Sequence, residues 1–189
     1  MDKDTGIRSQ PCAKAPADQA GATDPLARLR QPEPQVFDID IAADGSWYHE
    51  GGLIGRKPLV KLFASVLRRE ADGSFWLVTP VERGRITVED APFVITAMQV
   101  AGTGPDQVIS FTSNVDDEVT LSSAHPLKMR GHDAGDDLRP YVNIRDGLEA
   151  CLSRPVFYEL AGLAVDAAED DNTLGVWSDG TFFPLVGGE

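Results

Sequence analysis

The stretch Lys57 to Trp76, KPLVKLFASVLRREADGSFW, decides the fold predicted for this chain. The proline at its second position suits the first turn of a helix, because its missing N–H would have no partner there. Apolar side chains then recur at the three- and four-residue spacing of one buried helix face; they are Leu59, Leu62, Phe63, Val66 and Leu67. Asp72-Gly73 is a turn pair that ends this pattern. We therefore predict an amphipathic helix followed by a hairpin.

A second copy of this pattern lies near the C-terminus. Arg154-Pro155 precedes another apolar run, and Asp179-Gly180 precedes aromatic residues as Asp72-Gly73 does. The repeat favours an internal duplication. The alternative is that such prolines and turn pairs are common enough to recur by chance.

Short runs with the alternation of β-strands fill much of the remaining chain. They are residues 36–41, 75–79, 85–89, 93–98, 108–112, 119–122, 127–130, 141–144 and 181–186. A helical stretch is predicted from about Asp146 to Asp166, which Pro155 should kink or split because its ring clashes with the preceding turn.

These elements predict an α+β fold of two tandem, related units, each a small, mostly antiparallel sheet with one packed helix. We assign residues 1–35 to a flexible tail that is rich in Ala, Asp, Gly and Pro. Residues 36–101 form the N-terminal unit and residues 102–189 the C-terminal unit, with the boundary at a Gly- and Pro-rich segment. Because units of about 60 residues are marginally stable alone, the two should pack together.

Composition limits the kinds of partner. The 189 residues include 30 acidic and 17 basic side chains, a net charge of −13 at pH 7. Such a surface repels phosphate backbones and anionic lipid headgroups, so we expect neither nucleic acid nor membrane as a partner. No secretory signal is evident, and no stretch approaches the roughly 20 apolar residues that span a bilayer. Cys12 and Cys151 form neither a disulfide framework nor a metal motif, which favours a cytoplasmic location.

Five segments of the sequence share the pattern of a known protein family. These motif segments are residues 44–47 (DGSW), 54–67, 77–82 (LVTPVE), 90–93 (DAPF) and 154–160 (RPVFYEL). Together they resemble the bacterial family called domain of unknown function 1285, over nearly all of residues 36–186. The resemblance implies two related α+β units in tandem and a role in signalling or regulation. It implies no catalytic residues.

The loop before the first predicted helix is the candidate ligand-binding site, with Gly55, Arg56 and Lys57 as its residues. The helix dipole disfavours cations at this end, whereas free N–H groups and two cations would suit a phosphate or carboxylate. The alternative is that Arg56 forms a structural ion pair with an acidic residue such as Asp44 or Glu82.

Other constellations give less support for chemistry. His49 and His125 lack partners of catalytic or metal-binding spacing, and His132 with Asp133, Asp136 and Asp137 favours a solvated loop over a metal site. No cofactor and no metal are predicted. We expect a non-catalytic regulatory or ligand-binding protein, with signalling as its context, and a hydrolase of the hot-dog thioesterase type is the alternative. The expected partner is a small anionic ligand or a protein, and a homodimer is left open.

Overall fold

The computed structural model describes residues 33–132, 135–166 and 173–185, without the side chains of residues 132, 135–137 and 166. Nearly all of the predicted tail, residues 1–35, lies outside these ranges. Its last residues do not: Pro34 and Gln35 already belong to the first strand.

Sheet A is built from the first six strands. These are β1 (Pro34–Ile41), β2 (Trp47–His49), β3 (Gly52–Leu53), β4 (Leu67–Arg69), β5 (Phe75–Val78) and β6 (Arg83–Val88). Their order is β3-β2-β1-β6-β5-β4. Strands β1 and β6 run parallel at the centre, and the other neighbours are antiparallel. Helix α1 (Lys57–Val66) connects β3 to β4.

Sheet B repeats this connectivity with the next six strands. These are β7 (Phe93–Ala101), β8 (Val108–Ser113), β9 (Glu118–Thr120), β10 (Leu127–His132), β11 (Gly135–Arg145) and β12 (Leu148–Leu152). Their order is β10-β11-β12-β7-β8-β9, again with the first and last strands parallel at the centre. In both sheets a three-stranded antiparallel meander therefore extends to each side of one parallel pair.

A smaller sheet follows the second helix. Helix α2 (Arg154–Ala161) comes directly after β12 and leads into β13 (Val165–Asp166), β14 (Leu174–Ser178) and β15 (Thr181–Pro184). These three strands form the antiparallel sheet C. It is joined to sheet B by hydrogen bonds such as the one from the Ile109 amide to Ser178 Oγ, at 3.0 Å.

The predicted fold class is wrong, because the chain is mostly β. The described residues form fifteen strands and only two α-helices. The helices also occupy different places, since α1 lies between the third and fourth strands of its sheet and α2 follows the sixth. Two tandem units remain consistent with the shared strand order, but they are not α+β units with one equivalent helix each. The two Asp-Gly pairs also lie in hairpins at different positions. Asp72-Gly73 lies in the first hairpin after α1, whereas Asp179-Gly180 lies in the second hairpin after α2.

The predicted helix from Asp146 to Asp166 begins too early. Asp146 and Gly147 both have positive φ, at 46° and 74°, and they connect β11 to β12 as a tight turn. An Asp-Gly pair between apolar runs is typical of such a hairpin. Residues 148–152 therefore form a buried central strand, and the helix starts only at Arg154.

Both units share one hydrophobic core. The described residues all lie within one compact unit, and the core contains buried side chains from all three sheets, among them Ile41, Phe93 and Val176. Sheet A ends at Val88 and sheet B begins at Phe93. The boundary predicted between residues 101 and 102 lies in the turn that connects β7 to β8. Within the described residues, no helix is long and apolar enough to cross a membrane.

The buried face of α1 is shifted by about one position from the predicted one. Phe63, Val66 and Leu67 pack on the core as predicted. Ala64 is buried and Phe63 stacks on Trp47, with 6.2 Å between the ring centroids. Leu62 instead points outward and is 60% exposed. The apolar residues of α1 extend around more than one face, so the spacing alone left two adjacent faces open. The packed sheet selects the face that carries Phe63 and Ala64.

Phe63→Ala is expected to lower the free energy of unfolding by about 2–4 kcal/mol, because it removes the half-buried ring that packs on Trp47. The neighbouring change Leu62→Ala is expected to stay within about 0.5 kcal/mol, as for most exposed positions. Urea denaturation of the two variants measures this difference. Equal losses would show that Leu62 is covered in solution.

Candidate functional site

The predicted site lies at the start of α1 and consists of the consecutive residues Gly55, Arg56 and Lys57. Lys57 is the first helical residue, and Arg56 occupies the preceding position with no capping hydrogen bond. Both cations are exposed. Among the described residues, Arg56 has no ion pair, so the suggested pairing with Asp44 or Glu82 is not formed.

Lys57 has an acidic partner from the other unit. Its Nζ lies 2.6 Å from Asp116 Oδ1, and Lys61 Nζ lies 3.4 Å from Asp116 Oδ2. The hydrogen bond from Lys57, followed by the one from Lys61, lowers the pKa of Asp116. All three side chains are about half exposed, so these ion pairs contribute little stability. They give one of the two cations a structural role, while the anion site at Gly55, Arg56 and Lys57 stays a prediction.

A cavity opens where α2 begins, and we call it the α2 cavity. Its volume is about 750 Å³. One wall is the turn Ala43-Asp44, which follows β1 of sheet A, and the others come from sheet B and the first turns of α2. The full lining consists of Ala43, Asp44, Val94, Leu138, Arg139, Pro140, Cys151, Leu152, Ser153, Arg154, Phe157 and Tyr158.

The side chain of Asn114 holds the wall from sheet A against sheet B. Its Nδ2 donates to the Gly45 carbonyl at 3.0 Å, and its Oδ1 accepts from the Val94 amide at 3.1 Å. The Ala43 amide also donates to Glu89 Oε2 at 2.9 Å. The position of Ala43-Asp44 in the cavity is therefore set by contacts from both units.

One of the two arginines that line the cavity forms an ion pair with a carboxylate. Arg139 Nη1 donates to Asp90 Oδ2 at 3.2 Å, and the Tyr141 hydroxyl donates to Asp90 Oδ1 at 2.7 Å. Burial, together with the neighbouring Asp90 carboxylate, raises the pKa of Tyr141. The tyrosine therefore stays protonated and acts as a hydrogen-bond donor to Asp90.

The cavity also contains the buried thiol of Cys151. Burial, with a smaller contribution from the Asp90 carboxylate, raises the pKa of Cys151 to about 11. The thiol is therefore protonated at neutral pH, and only the thiolate is strongly nucleophilic.

His49 and His125 do not line this cavity. His49 is exposed at the end of β2, and His125 Nδ1 lies 2.9 Å from the Asn143 carbonyl oxygen. The cluster proposed around His132 lies outside the described side chains. In the part of the chain that is described, no group of three His, Cys, Asp or Glu residues could hold a metal ion.

Sequence reasoning missed the α2 cavity, although its signals were present. Three motif segments meet there, since Asp44 and Arg154 line the cavity and Asp90 anchors Arg139 behind it. Arg139 itself lies in no motif segment. Only the pairing of β11 with β12 places it beside the start of α2.

Comparison with known proteins agrees with this architecture. The model described as "Domain of unknown function (DUF1285), N-terminal domain" matches residues 25–91. The model described as "Protein of unknown function (DUF1285), C-terminal domain" matches residues 92–185. No curated protein matches the chain.

Two solved structures resemble this chain. The first is a DUF1285 family protein from Silicibacter pomeroyi DSS-3, which is 40% identical with a TM-score of 0.76, over 90% of this chain and 91% of that chain. The second is a DUF1285 family protein from Shewanella baltica OS155, which is 28% identical with a TM-score of 0.52, over 67% of this chain and 92% of that chain. With both domain models matched in order and a 40% identical relative of the same architecture, the chain belongs to the DUF1285 family.

Proposed function

We propose that this protein is a non-catalytic, ligand-binding regulator whose site is the α2 cavity. The observation that carries the proposal is the cavity itself, whose volume of about 750 Å³ lies within the usual range of small-molecule sites. The hypothesis formed on Gly55, Arg56 and Lys57 concerned an open loop. The α2 cavity is a recess lined by twelve residues, and none of the three loop residues lines it.

The lining favours a ligand with an apolar body. Most of it is aliphatic or aromatic, including Val94, Pro140 and Phe157. Two large hydrophobic side chains that line the cavity are exposed to solvent, those of Leu138 and Tyr158. A ligand that covers such surface removes it from water, which is favourable by about 25 cal/mol per Å².

The chemistry of the walls favours binding over catalysis. The one thiol in the cavity, Cys151, is held in its protonated form. A regulatory role is supported by the origin of the walls, since Ala43-Asp44 lies in the segment matched by the N-terminal domain model and the other lining residues lie in the segment matched by the C-terminal one. A ligand that contacts both units stabilises the arrangement in which they meet, by an amount that depends on its concentration and affinity.

Octan-1-ol, an uncharged molecule with an apolar chain, is expected to bind in the cavity and raise the melting temperature. Ala43→Trp should weaken this binding at least tenfold, because Ala43 lines the cavity and the added indole would take up part of its volume. Isothermal titration calorimetry and a thermal shift assay measure the two effects.

The matched control is Ala71→Trp, which adds the same ring at an exposed turn residue that does not line the cavity. It should bind octan-1-ol as the wild type does. If Ala43→Trp and the wild type bind octan-1-ol equally, the ligand lies elsewhere and the proposal is wrong.

A further inference from the structure

We infer that the ligand of the α2 cavity carries an anionic carboxylate or phosphate group, and that Arg139, Ser153 and Arg154 bind it. This inference rests on the proposed function, because it assumes that the cavity is the binding site. It assigns the charged end of the ligand to one wall, formed by the middle of β11 and by the residues from the end of β12 to the start of α2.

Strand pairing brings the three residues together. Tyr141 lies opposite Cys151 in the antiparallel pair of β11 and β12. Arg139 precedes Tyr141 by two residues on β11, and Ser153 lies between the end of β12 and Arg154, the first residue of α2. All three residues line the same cavity.

The charges on this wall are not balanced internally. Asp90 binds Arg139, but within the described ranges no ion pair reaches Arg154. Asp44 lies on the opposing wall, where its Oδ1 accepts from the Ser46 amide, and it forms no ion pair with either arginine. Arg154 is therefore a cation of this wall without a carboxylate partner, while Arg139 uses its Nη1 to bind Asp90. A bound anion would give Arg154 such a partner.

The donor groups fit carboxylate and phosphate oxygens. A guanidinium group presents its N–H donors as a planar fork that matches both kinds of anion. The Ser153 hydroxyl makes no hydrogen bond to the first turn of α2, so it is available as a further donor. Asp90, itself held by Tyr141, fixes the direction in which Arg139 projects. Asp44 on the other wall would repel an anion, which keeps the charged end of the ligand beside the arginines.

The test compares ligands with the same eight-carbon chain and different head groups: octanoate, octyl phosphate, octan-1-ol and octylammonium. Titration calorimetry on the full chain is expected to show at least tenfold tighter binding of octanoate or octyl phosphate than of octan-1-ol, with octylammonium the weakest. The tighter of the two anions identifies the head group. Arg154→Gln should reduce the affinity for that anion about tenfold and reduce the affinity for octan-1-ol by a clearly smaller factor.

The control is Arg85→Gln, the same substitution at an exposed arginine of β6 that does not line the cavity. It should leave all four affinities unchanged. Neither Arg154 nor Arg85 forms a side-chain hydrogen bond within the described ranges, so both variants should fold. Equal affinities for octanoate, octyl phosphate, octan-1-ol and octylammonium would overturn the assignment of the anion while the proposed function stands. Failure of all four to bind would overturn both.

Discussion

Trp47→Ala is expected to lower the free energy of unfolding by about 3–5 kcal/mol, as for the removal of a large ring from a core. Trp47 is only 1% exposed, and its ring stacks on Phe63 where sheet A meets α1. Truncation would leave a cavity between these two elements. Urea denaturation followed by circular dichroism measures the change.

Two further variants separate packing from other causes. Trp47→Phe keeps most of the apolar ring and removes the indole Nε1, which is buried without a hydrogen-bond partner in the described structure. It should therefore cost less than about 1.5 kcal/mol. Tyr158→Ala removes an aromatic ring that is 70% exposed and should cost about 0.5 kcal/mol or less. If Trp47→Phe is as destabilising as Trp47→Ala, the loss does not come from ring packing.

Gly175→Ala is expected to lower the free energy of unfolding by about 1–3 kcal/mol, because the interior of sheet C has no room for the added methyl group. A Cβ atom at this position would lie 2.5 Å from the Phe183 carbonyl oxygen and would overlap the ring of Phe182. The oxygen belongs to the backbone of β15, so relief requires β14 and β15 to separate. Thermal and urea unfolding both report the loss.

Gly131→Ala is the matched control in another strand. Gly131 lies in β10, and a Cβ atom there would meet no atom within 4 Å. Its change in stability should be within about 0.5 kcal/mol. Equal unfolding midpoints for the two variants would contradict the close approach of β14 and β15 at Gly175.

Local patterns predicted many of the strands. The alternation in residues 36–41, 75–79 and 108–112 corresponds to β1, β5 and β8, because one face of each strand packs on the core. The same approach was wrong for residues 146–152, where a turn pair and a buried strand were read as part of a helix. A central strand that is buried on both faces shows no alternation, and it is therefore difficult to distinguish from a helix by spacing.

The helix face and the site depended on contacts between distant residues. Whether Leu62 or Ala64 of α1 points inward is decided by the sheet against which the helix packs. Lys57 meets Asp116 across 59 positions of sequence, a pairing that no local spacing indicates. The predicted site relied on the helix terminus alone and could not include that partner.

Short-range features of this protein could be predicted from its sequence: most strands, the turn pairs Asp72-Gly73 and Asp179-Gly180, and the start of the first helix beside Pro58. Those features depend on side-chain alternation and backbone preference within a few residues. The repeated strand order of sheets A and B and the α2 cavity became evident from the folded structure alone. Ala43-Asp44, Arg139 and Arg154 come together because separate strands pair and share one core, and such long-range pairing leaves no periodic signal in the chain.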